Sequence, residues 1–361
     1  MKAKIILAIL IVLSMLITSV GFAQVAPEGF VSGGDDGAMV RKNISKTPLG
    51  ETEEAAIGMM PFYVTAQSSD GTLLDVEGIS YLDSDGVEYD LRYQAKPLLA
   101  IYVDGIEHEA ELGSGGGAGE RDAYAAISLD DGATWNRSNL SNSADLSSFT
   151  LKNGTPYPGD AHYMTFAVAG DRVLAGWLSK YCLGGGAAYT IADELYDDDR
   201  DALQEAYGIP SEIYFQDIFG VVGSQGSVDY TLQGFPEVGE IPYSCVWTSR
   251  GVLRAVDADG NPGGDYHEII WSKPERLTSG RRDANRLEVA AVPDAGFVMT
   301  WQEDPKGLRP GQGLGPGEGW SGAIVNQKTD LCYSYIDWDN FDLVDDDDDL
   351  KTVPGVDPFT T

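Results

Sequence analysis

The chain has 361 residues, of which 43% are hydrophobic and 10% aromatic, and its formal net charge at pH 7 is −33. This apolar content predicts a folded core and excludes a chain that is disordered throughout. Because so negative a surface repels nucleic-acid phosphates and anionic lipid headgroups, nucleic acid is not expected as a partner.

Residues 1–23 have the features of a secretory signal peptide. Two lysines precede an apolar stretch over residues 5–20, and small residues stand at the −3 and −1 positions of a cleavage site after Ala23. A membrane anchor is the alternative, but the apolar stretch is short for a bilayer span of about 20 residues. We therefore expect export, no membrane span after cleavage, and a mature charge of −33 − 2 = −35.

The remaining chain divides into three parts. Residues 24–60 mix glycine and charges without a period and are interpreted as a linker or poorly ordered lead-in. In residues 61–340, short apolar runs alternate with tight turns, which predicts many β-hairpins in series. Residues 341–361 are interpreted as an acidic tail or the start of a missing segment. The clearest runs are 98–103, 164–168, 172–177 and 297–301, and the predicted turns are Asp85-Gly86, Asp104-Gly105, Asp131-Gly132, Gly170-Asp171 and Asp259-Gly260.

One helix, near residues 191–207, is predicted as an insertion between strands. Thr190 and Asp193 form a capping box at its start, and Gly208 and Pro210 stop it.

The chain contains three cysteines. In an oxidising compartment one pair should close, and we predict Cys182 with Cys245, because both lie in strand-like aromatic runs, and a free Cys332. A zinc site is the alternative, but it needs near spacing or histidine ligands that are not evident at His108, His162 and His267.

An internal repeat is the main architectural indication. Asp160-Ala-His162 and Asp283-Ala-Asn285 each begin an alternating strand, which continues through a tight turn to a second strand ending in tryptophan. The two starts lie 283 − 160 = 123 residues apart. Such repetition is typical of β-propellers and β-solenoids.

Residues 128–135 match a known turn motif, S-x-D-x-G-x-T-W, with Ser128, Asp130, Gly132, Thr134 and Trp135 at its fixed positions. They resemble the Asp box, or BNR repeat, of sialidase-like β-propellers. In this motif the Ser and Asp side chains bond the turn backbone and the tryptophan is buried. The resemblance implies a structural role remote from any functional site.

Three longer stretches, 243–251, 281–304 and 307–323, resemble bacterial surface proteins of the choice-of-anchor O family. The similarity covers about residues 50 to 340. It implies an exported, surface-attached protein of undefined activity, although this chain shows no anchor of that kind.

Together these features predict an all-β fold, a β-propeller of the sialidase-like Asp-box type, complete or incomplete, with the one inserted helix. The expected function is that of a secreted, periplasmic or surface-displayed bacterial protein that binds an extracellular glycan or protein ligand without turnover. The alternative is a glycan-cleaving hydrolase, sialidase-like or of another type, on the same scaffold.

Ligand binding is assigned to a basic stretch in a chain where basic residues are scarce. A guanidinium fork can recognise a carboxylated or sulfated glycan, whereas salt bridges to the acidic surface are the alternative use. The candidate ligand-binding residues are Arg281, Arg282, Asn285, Trp301 and Trp320.

Catalysis has fewer sequence indications. A sialidase needs an arginine triad and an Arg-Ile-Pro strand; the latter is absent, and Arg41 and Arg92 lie in unrelated contexts. Other glycosidases need two carboxylates across the sugar, but strand-end aspartates also commonly bond turns. The candidate catalytic residues are Asp160, His162, Asp283 and Glu303.

No cofactor is expected apart from calcium. Asp257, Asp259, Asn261 and Glu268 follow the spacing of a calcium loop, but Pro262 replaces the required glycine. An Asp-Gly hairpin turn is therefore the preferred interpretation.

Overall fold

The computed structural model describes residues 43–46, 51–108, 118–184, 225–229, 232, 239–304 and 330–341. The described part is all-β and contains no α-helix; the predicted helix near 191–207 lies outside it. Its strands are β1 (Glu51–Met59), β2 (Val64–Thr65), β3 (Asp75–Leu82), β4 (Glu88–Arg92), β5 (Gln94–Ala95), β6 (Leu98–His108), β7 (Ala118–Ser128), β8 (Asn136–Asn139), β9 (Phe149–Thr150), β10 (Pro156–Tyr157), β11 (Ala161–Ala169), β12 (Arg172–Ser179), β13 (Ser227–Asp229), β14 (Glu240–Pro242), β15 (Cys245–Val256), β16 (Tyr266–Trp271), β17 (Glu275–Arg276), β18 (Asp283–Val292), β19 (Gly296–Asp304) and β20 (Asp330–Asp337).

Three antiparallel sheets account for most of these strands. The first sheet has the order β1-β6-β7-β8, the second β11-β12-β15-β16 with β17 beside β15, and the third β18-β19-β20. Four short two-stranded pairs, β2–β5, β3–β4, β9–β10 and β13–β14, accompany them. Strand β11 contacts both β1 and β18, so the first strands of the three sheets are neighbours in succession.

Two apolar cores join the sheets face to face. The first sheet packs against the second through side chains such as Ile101 and Trp247. The second packs against the third through side chains such as Leu178, Phe297 and Met299. Burying each such side chain stabilises the fold by about 1.5–3 kcal/mol. Strand β12 lies between both cores, which is why nearly all its residues are buried.

The two copies of the sequence repeat form hairpins with the same irregularity. In β11–β12 the register shifts after His162, and in β18–β19 it shifts after Asn285. The next residues, Tyr163 and Arg286, have positive φ angles of 60° and 54°. Because bulky residues rarely adopt this conformation, the shared bulge indicates a common local fold.

Four of the five predicted tight turns lie between strands, whereas Asp104-Gly105 is wrong as a turn and lies inside β6. A Cβ atom on Gly105 would come within 2.1 Å of the Glu120 carbonyl oxygen on neighbouring β7. Glycine at this position therefore serves the close approach of two backbones rather than a chain reversal.

The limits of the β domain are wider than predicted. Residues 51–59 of the predicted lead-in form β1, which pairs with β6. Phe341, the first residue of the predicted tail, is fully buried against Phe297 and accepts a hydrogen bond from Arg250 through its carbonyl oxygen. Local composition does not show that these two segments are folded, because their structure depends on pairing and packing with residues distant in the chain.

The turn at residues 128–135 has the hydrogen bonds expected from its sequence. The Ser128 hydroxyl accepts the Gly132 N–H at 2.8 Å, and the Asp130 carboxylate accepts both the N–H and the hydroxyl of Thr134, at 2.8 and 2.7 Å. Gly132 has a φ of 84°. The side chain of Trp135 was predicted to be buried but is only partly buried. It packs on the face of the first sheet that points away from the core.

The predicted Cys182–Cys245 disulfide and free Cys332 are both confirmed. The bond closes a separation of 63 residues between the end of β12 and the start of β15, with Cα atoms 5.7 Å apart.

Replacing both Cys182 and Cys245 by alanine should lower the free energy of unfolding by about 2–4 kcal/mol, because the unfolded chain loses a cross-link. Urea denaturation measures the change, and Cys332→Ala is the control, with a smaller loss expected. A double variant as stable as the parent would contradict the structural role of the bond.

Candidate functional site

The structure brings most of the predicted catalytic and ligand-binding residues to one end of the second and third sheets. Here β15 and β18 begin and β12 and β19 end, as the pairs Ser179–Cys245 and Asp283–Asp304 show. Residue Ser244, just before β15, accepts the Ala284 N–H at 3.1 Å and so joins the two sheets. We call this region the polar end; it contains Asp160, His162, Lys180, Ser244, Arg281, Arg282, Asp283, Asn285, Glu303 and Asp330.

A buried ion pair connects the polar end to the first sheet. Arg121 on β7 donates through Nε and Nη2 to the two carboxylate oxygens of Asp160, at 2.7 and 2.8 Å. The side chains are only 7% and 5% exposed. Burial raises the pKa of Asp160, and the charges of Arg121 and Lys180 oppose that rise. Both oxygens of this predicted catalytic carboxyl are thus engaged in a structural pair.

Sequence reasoning missed Arg121 and Lys180. Arg121 is in phase with the inward-facing Ala123 and Ala125 of β7, and a basic residue at an apolar position is the signal that could have identified it. Lys180 is buried, and its Nζ donates to the Pro242 carbonyl oxygen at 2.8 Å and to the Ser244 hydroxyl at 2.9 Å.

The other predicted catalytic side chains also have structural contacts. The Asp283 carboxylate accepts the Ser244 N–H at 2.6 Å, and the Glu303 carboxylate accepts the Trp301 indole N–H at 2.9 Å. His162 is buried on β11. Asp283 is buried as well, whereas Glu303 is only partly buried.

Two of the predicted ligand-binding residues, Trp301 and Asn285, are buried, so their side chains are not exposed to a ligand in solution. Trp301 belongs to the core between the second and third sheets, because its position on β19 faces inward. Asn285 is buried and accepts the N–H of its neighbour Arg286, which stabilises the bulge. Trp320 lies outside the described residues.

The two remaining candidates lie at the surface. Arg281 is exposed, and Arg282, about 40% exposed, forms an ion pair with Asp330 at the start of β20. Guanidinium groups are therefore the accessible charged donors among the predicted binding residues.

Three of the four predicted calcium residues, Asp257, Asp259 and Asn261, lie in the hairpin turn between β15 and β16. The Asp257 carboxylate accepts the N–H groups of Asp259 and Asn261 at 2.8 and 2.9 Å, and the side-chain bond from Asn261 lowers its pKa. Glu268 does not contact this turn; its Oε1 lies 3.7 Å from Arg254 Nε. Among the described residues, no three His, Cys, Asp or Glu side chains are grouped to hold a metal ion.

No helix in the described part of the chain is long and apolar enough to cross a membrane. The buried disulfide is compatible with an extracellular or periplasmic location, where thiols are oxidised.

Comparison with known proteins identifies no family. No family model and no curated protein matches the chain, so the choice-of-anchor O resemblance stays a prediction. Among solved structures, Trypanosoma rangeli sialidase in complex with sialic acid is 13% identical, with a TM-score of 0.27, over 81% of this chain and 35% of that one. A mutant of that sialidase displaying trans-sialidase activity is 13% identical over 78% and 34%, with a TM-score of 0.28. The chain spans about a third of the length of these structures, and likenesses this low carry no argument about activity.

Replacing one member of the Arg121–Asp160 pair, as in Asp160→Asn or Arg121→Met, should lower the free energy of unfolding by about 3–5 kcal/mol, because the other charge is left buried. The double variant R121M/D160L should lose less. The exposed Arg92–Asp75 pair is the control, since Arg92→Ala should cost less than about 1 kcal/mol. Urea denaturation measures the free energy of unfolding of each variant. An equal decrease for single replacements in the two pairs would contradict the structural role of the buried pair.

Cys332 should react slowly with iodoacetamide in the folded protein. Burial, and next the negative charge of Glu303, raise the pKa of this thiol to about 12. At pH 8 its thiolate fraction is then about three orders of magnitude below that of an ordinary cysteine. Mass spectrometry should show rapid labelling only in denaturing urea; equal rates in the native state would contradict the prediction.

Proposed function

We propose that this chain is an exported protein on a propeller-like scaffold of the sialidase type, and that it binds an extracellular anionic glycan without cleaving it. The observation that supports binding over hydrolysis is that the candidate catalytic carboxylates are engaged in contacts within the protein. Asp160 is paired with buried Arg121, Asp283 bonds the Ser244 backbone, and Glu303 bonds Trp301. A glycosidase needs two carboxyl groups facing a sugar across about 5 to 9.5 Å.

The propeller-like scaffold is supported by the arrangement of the sheets. The first strands β1, β11 and β18 are neighbours in succession, and each sheet continues from its first strand through antiparallel neighbours. Successive blades of a propeller have this arrangement. The hydrogen-bonded turn at residues 128–135 lies between the last two strands of its sheet, and the turn at residues 257–265 occupies the same place in the second sheet.

The glycan would bind at the polar end, through Arg281 and Arg282. Guanidinium groups recognise carboxylate or sulfate with paired, charge-assisted hydrogen bonds. In a protein with a net charge of −33, most of the surface repels such a ligand. We therefore place anion binding at these two adjacent arginines, of which Arg282 is paired with Asp330.

Binding and turnover should be measured on a panel of sialylated, sulfated and uronic-acid glycans. We expect saturable binding without product formation, weakened about tenfold by Arg281→Ala or Arg282→Ala, because each removes a charge-assisted hydrogen bond. Arg92→Ala is the matched control: Arg92 is also an ion-paired arginine, about as exposed as Arg282, but lies on the β3–β4 hairpin.

Two results would overturn the proposal. One is glycan cleavage that is abolished by Glu303→Gln, which would make the chain a hydrolase. The other is the absence of binding to every anionic glycan, or binding that Arg92→Ala weakens as much as Arg282→Ala.

A further inference from the structure

The β3–β4 hairpin presents an apolar face to solvent. Tyr81 and Tyr89 are directly opposite each other across its two strands, and their rings stack with centroids 5.6 Å apart. Val87, two residues before Tyr89, lies on the same face by strand alternation. These three side chains are 51%, 45% and 48% exposed, and neighbouring Ile79 is 46% exposed. We call the surface formed by Tyr81, Val87 and Tyr89 the hairpin face.

A similar tyrosine pair in the first sheet is covered. Tyr102 on β6 and Tyr124 on β7 are also opposite each other, with ring centroids 5.7 Å apart. Ile44 and Trp135 pack in the same cluster, and Tyr102 is only 2% exposed. Within the described residues the pair on the hairpin has no such cover. Exposed apolar area of this kind marks an interaction surface.

The hairpin also presents a strand edge. Among the described strands, β3 and β4 pair only with each other, and a two-stranded hairpin by itself is marginally stable in water. Its tip is nevertheless well defined, because the Asp83 carboxylate accepts the N–H groups of Asp85 and Val87, both at 2.9 Å. An ordered strand with an open edge is a template on which a further strand can pair.

Strand β4 alternates between apolar and acidic side chains. Val87 and Tyr89 lie on the hairpin face, whereas Glu88 and Asp90 lie on the opposite face and are exposed. Glu88 accepts a hydrogen bond from the Ser80 hydroxyl, which lies on that same opposite face. A strand added beside β4 would therefore place its own side chains alternately next to apolar and next to acidic neighbours.

The charges of the hairpin select the chemistry of that strand. Residues 75–92 contain six carboxylates and one guanidinium, so a third of them are acidic, about twice the proportion in the whole chain, 57 of 361. The one basic residue, Arg92, already pairs with Asp75 at the base of the hairpin. An acidic strand, including a second copy of β4, is repelled here, whereas lysine or arginine side chains are attracted.

We propose that β4 docks an extended segment of another protein in which basic and apolar side chains alternate. Its apolar side chains extend the hairpin face beside Val87 and Tyr89, and its basic side chains pair with Glu88 and Asp90 on the opposite face. Backbone hydrogen bonds along the open edge supply affinity, and the alternation supplies specificity.

Fluorescence anisotropy with a labelled eight-residue peptide of alternating lysine and valine tests the docking. We expect saturable binding that Tyr89→Ser weakens about tenfold or more, because a central aromatic contact is lost. Tyr333→Ser is the matched control, since Tyr333 is also an exposed tyrosine but lies on β20. Circular dichroism should show that both variants remain folded.

A charge exchange tests which side chains select the peptide. The double variant Glu88→Lys/Asp90→Lys should lose the lysine–valine peptide and bind a glutamate–valine peptide instead, because the opposite charges meet again. A lysine–serine peptide should bind the parent at least tenfold more weakly than the lysine–valine peptide, because it lacks apolar side chains.

Three results would overturn the proposal: no binding of the lysine–valine peptide, equal weakening by Tyr89→Ser and Tyr333→Ser, or equal binding of the lysine–serine peptide, which would show general attraction to an acidic surface. The assay contains no glycan, so these outcomes leave the proposed function untouched.

Discussion

The buried ion pair between Arg121 and Asp160 is the constraint on which the three-sheet arrangement depends. Two charges removed from water are tolerated only where each keeps good partners, and here a bidentate pair supplies them. From Asp160 the polar contacts continue: its carbonyl oxygen accepts the Lys180 N–H, Lys180 bonds Ser244, and Ser244 bonds Asp283. One chain of hydrogen bonds therefore runs from the first sheet through the second into the third, beside the disulfide.

These structural contacts change the interpretation of the aspartates at the polar end. Aspartates at strand starts look catalytic in a sequence, but in this fold they connect sheets and hold backbone N–H groups. A carboxylate held by two donors or by an arginine is a poor proton donor to a substrate. Arg281 and Arg282 lie at the surface of the polar end, where Arg282 is paired with Asp330. Guanidinium groups can form paired hydrogen bonds with anions.

The repeated hairpin explains both the core and the open surface. Each copy buries one face against the preceding sheet, so packing is satisfied along the described sheets as far as the third. There the same positions carry larger apolar side chains, Leu331, Tyr333 and Tyr335, and these are exposed. A repeating architecture leaves such faces at its ends unless a cap or a partner covers them.

Local pattern determined much of this protein. Alternation and Asp-Gly turns predicted the hairpins, strand context predicted the Cys182–Cys245 bond, and the repeat predicted two similar hairpins, because strand period and turn chemistry depend on neighbouring residues. Tertiary structure alone decided that Trp301 is buried, that Gly105 serves a close backbone approach, and that Asp160 meets Arg121, which is 39 residues away. Those outcomes depend on which sheet faces pack together, and residues distant in the chain determine that packing.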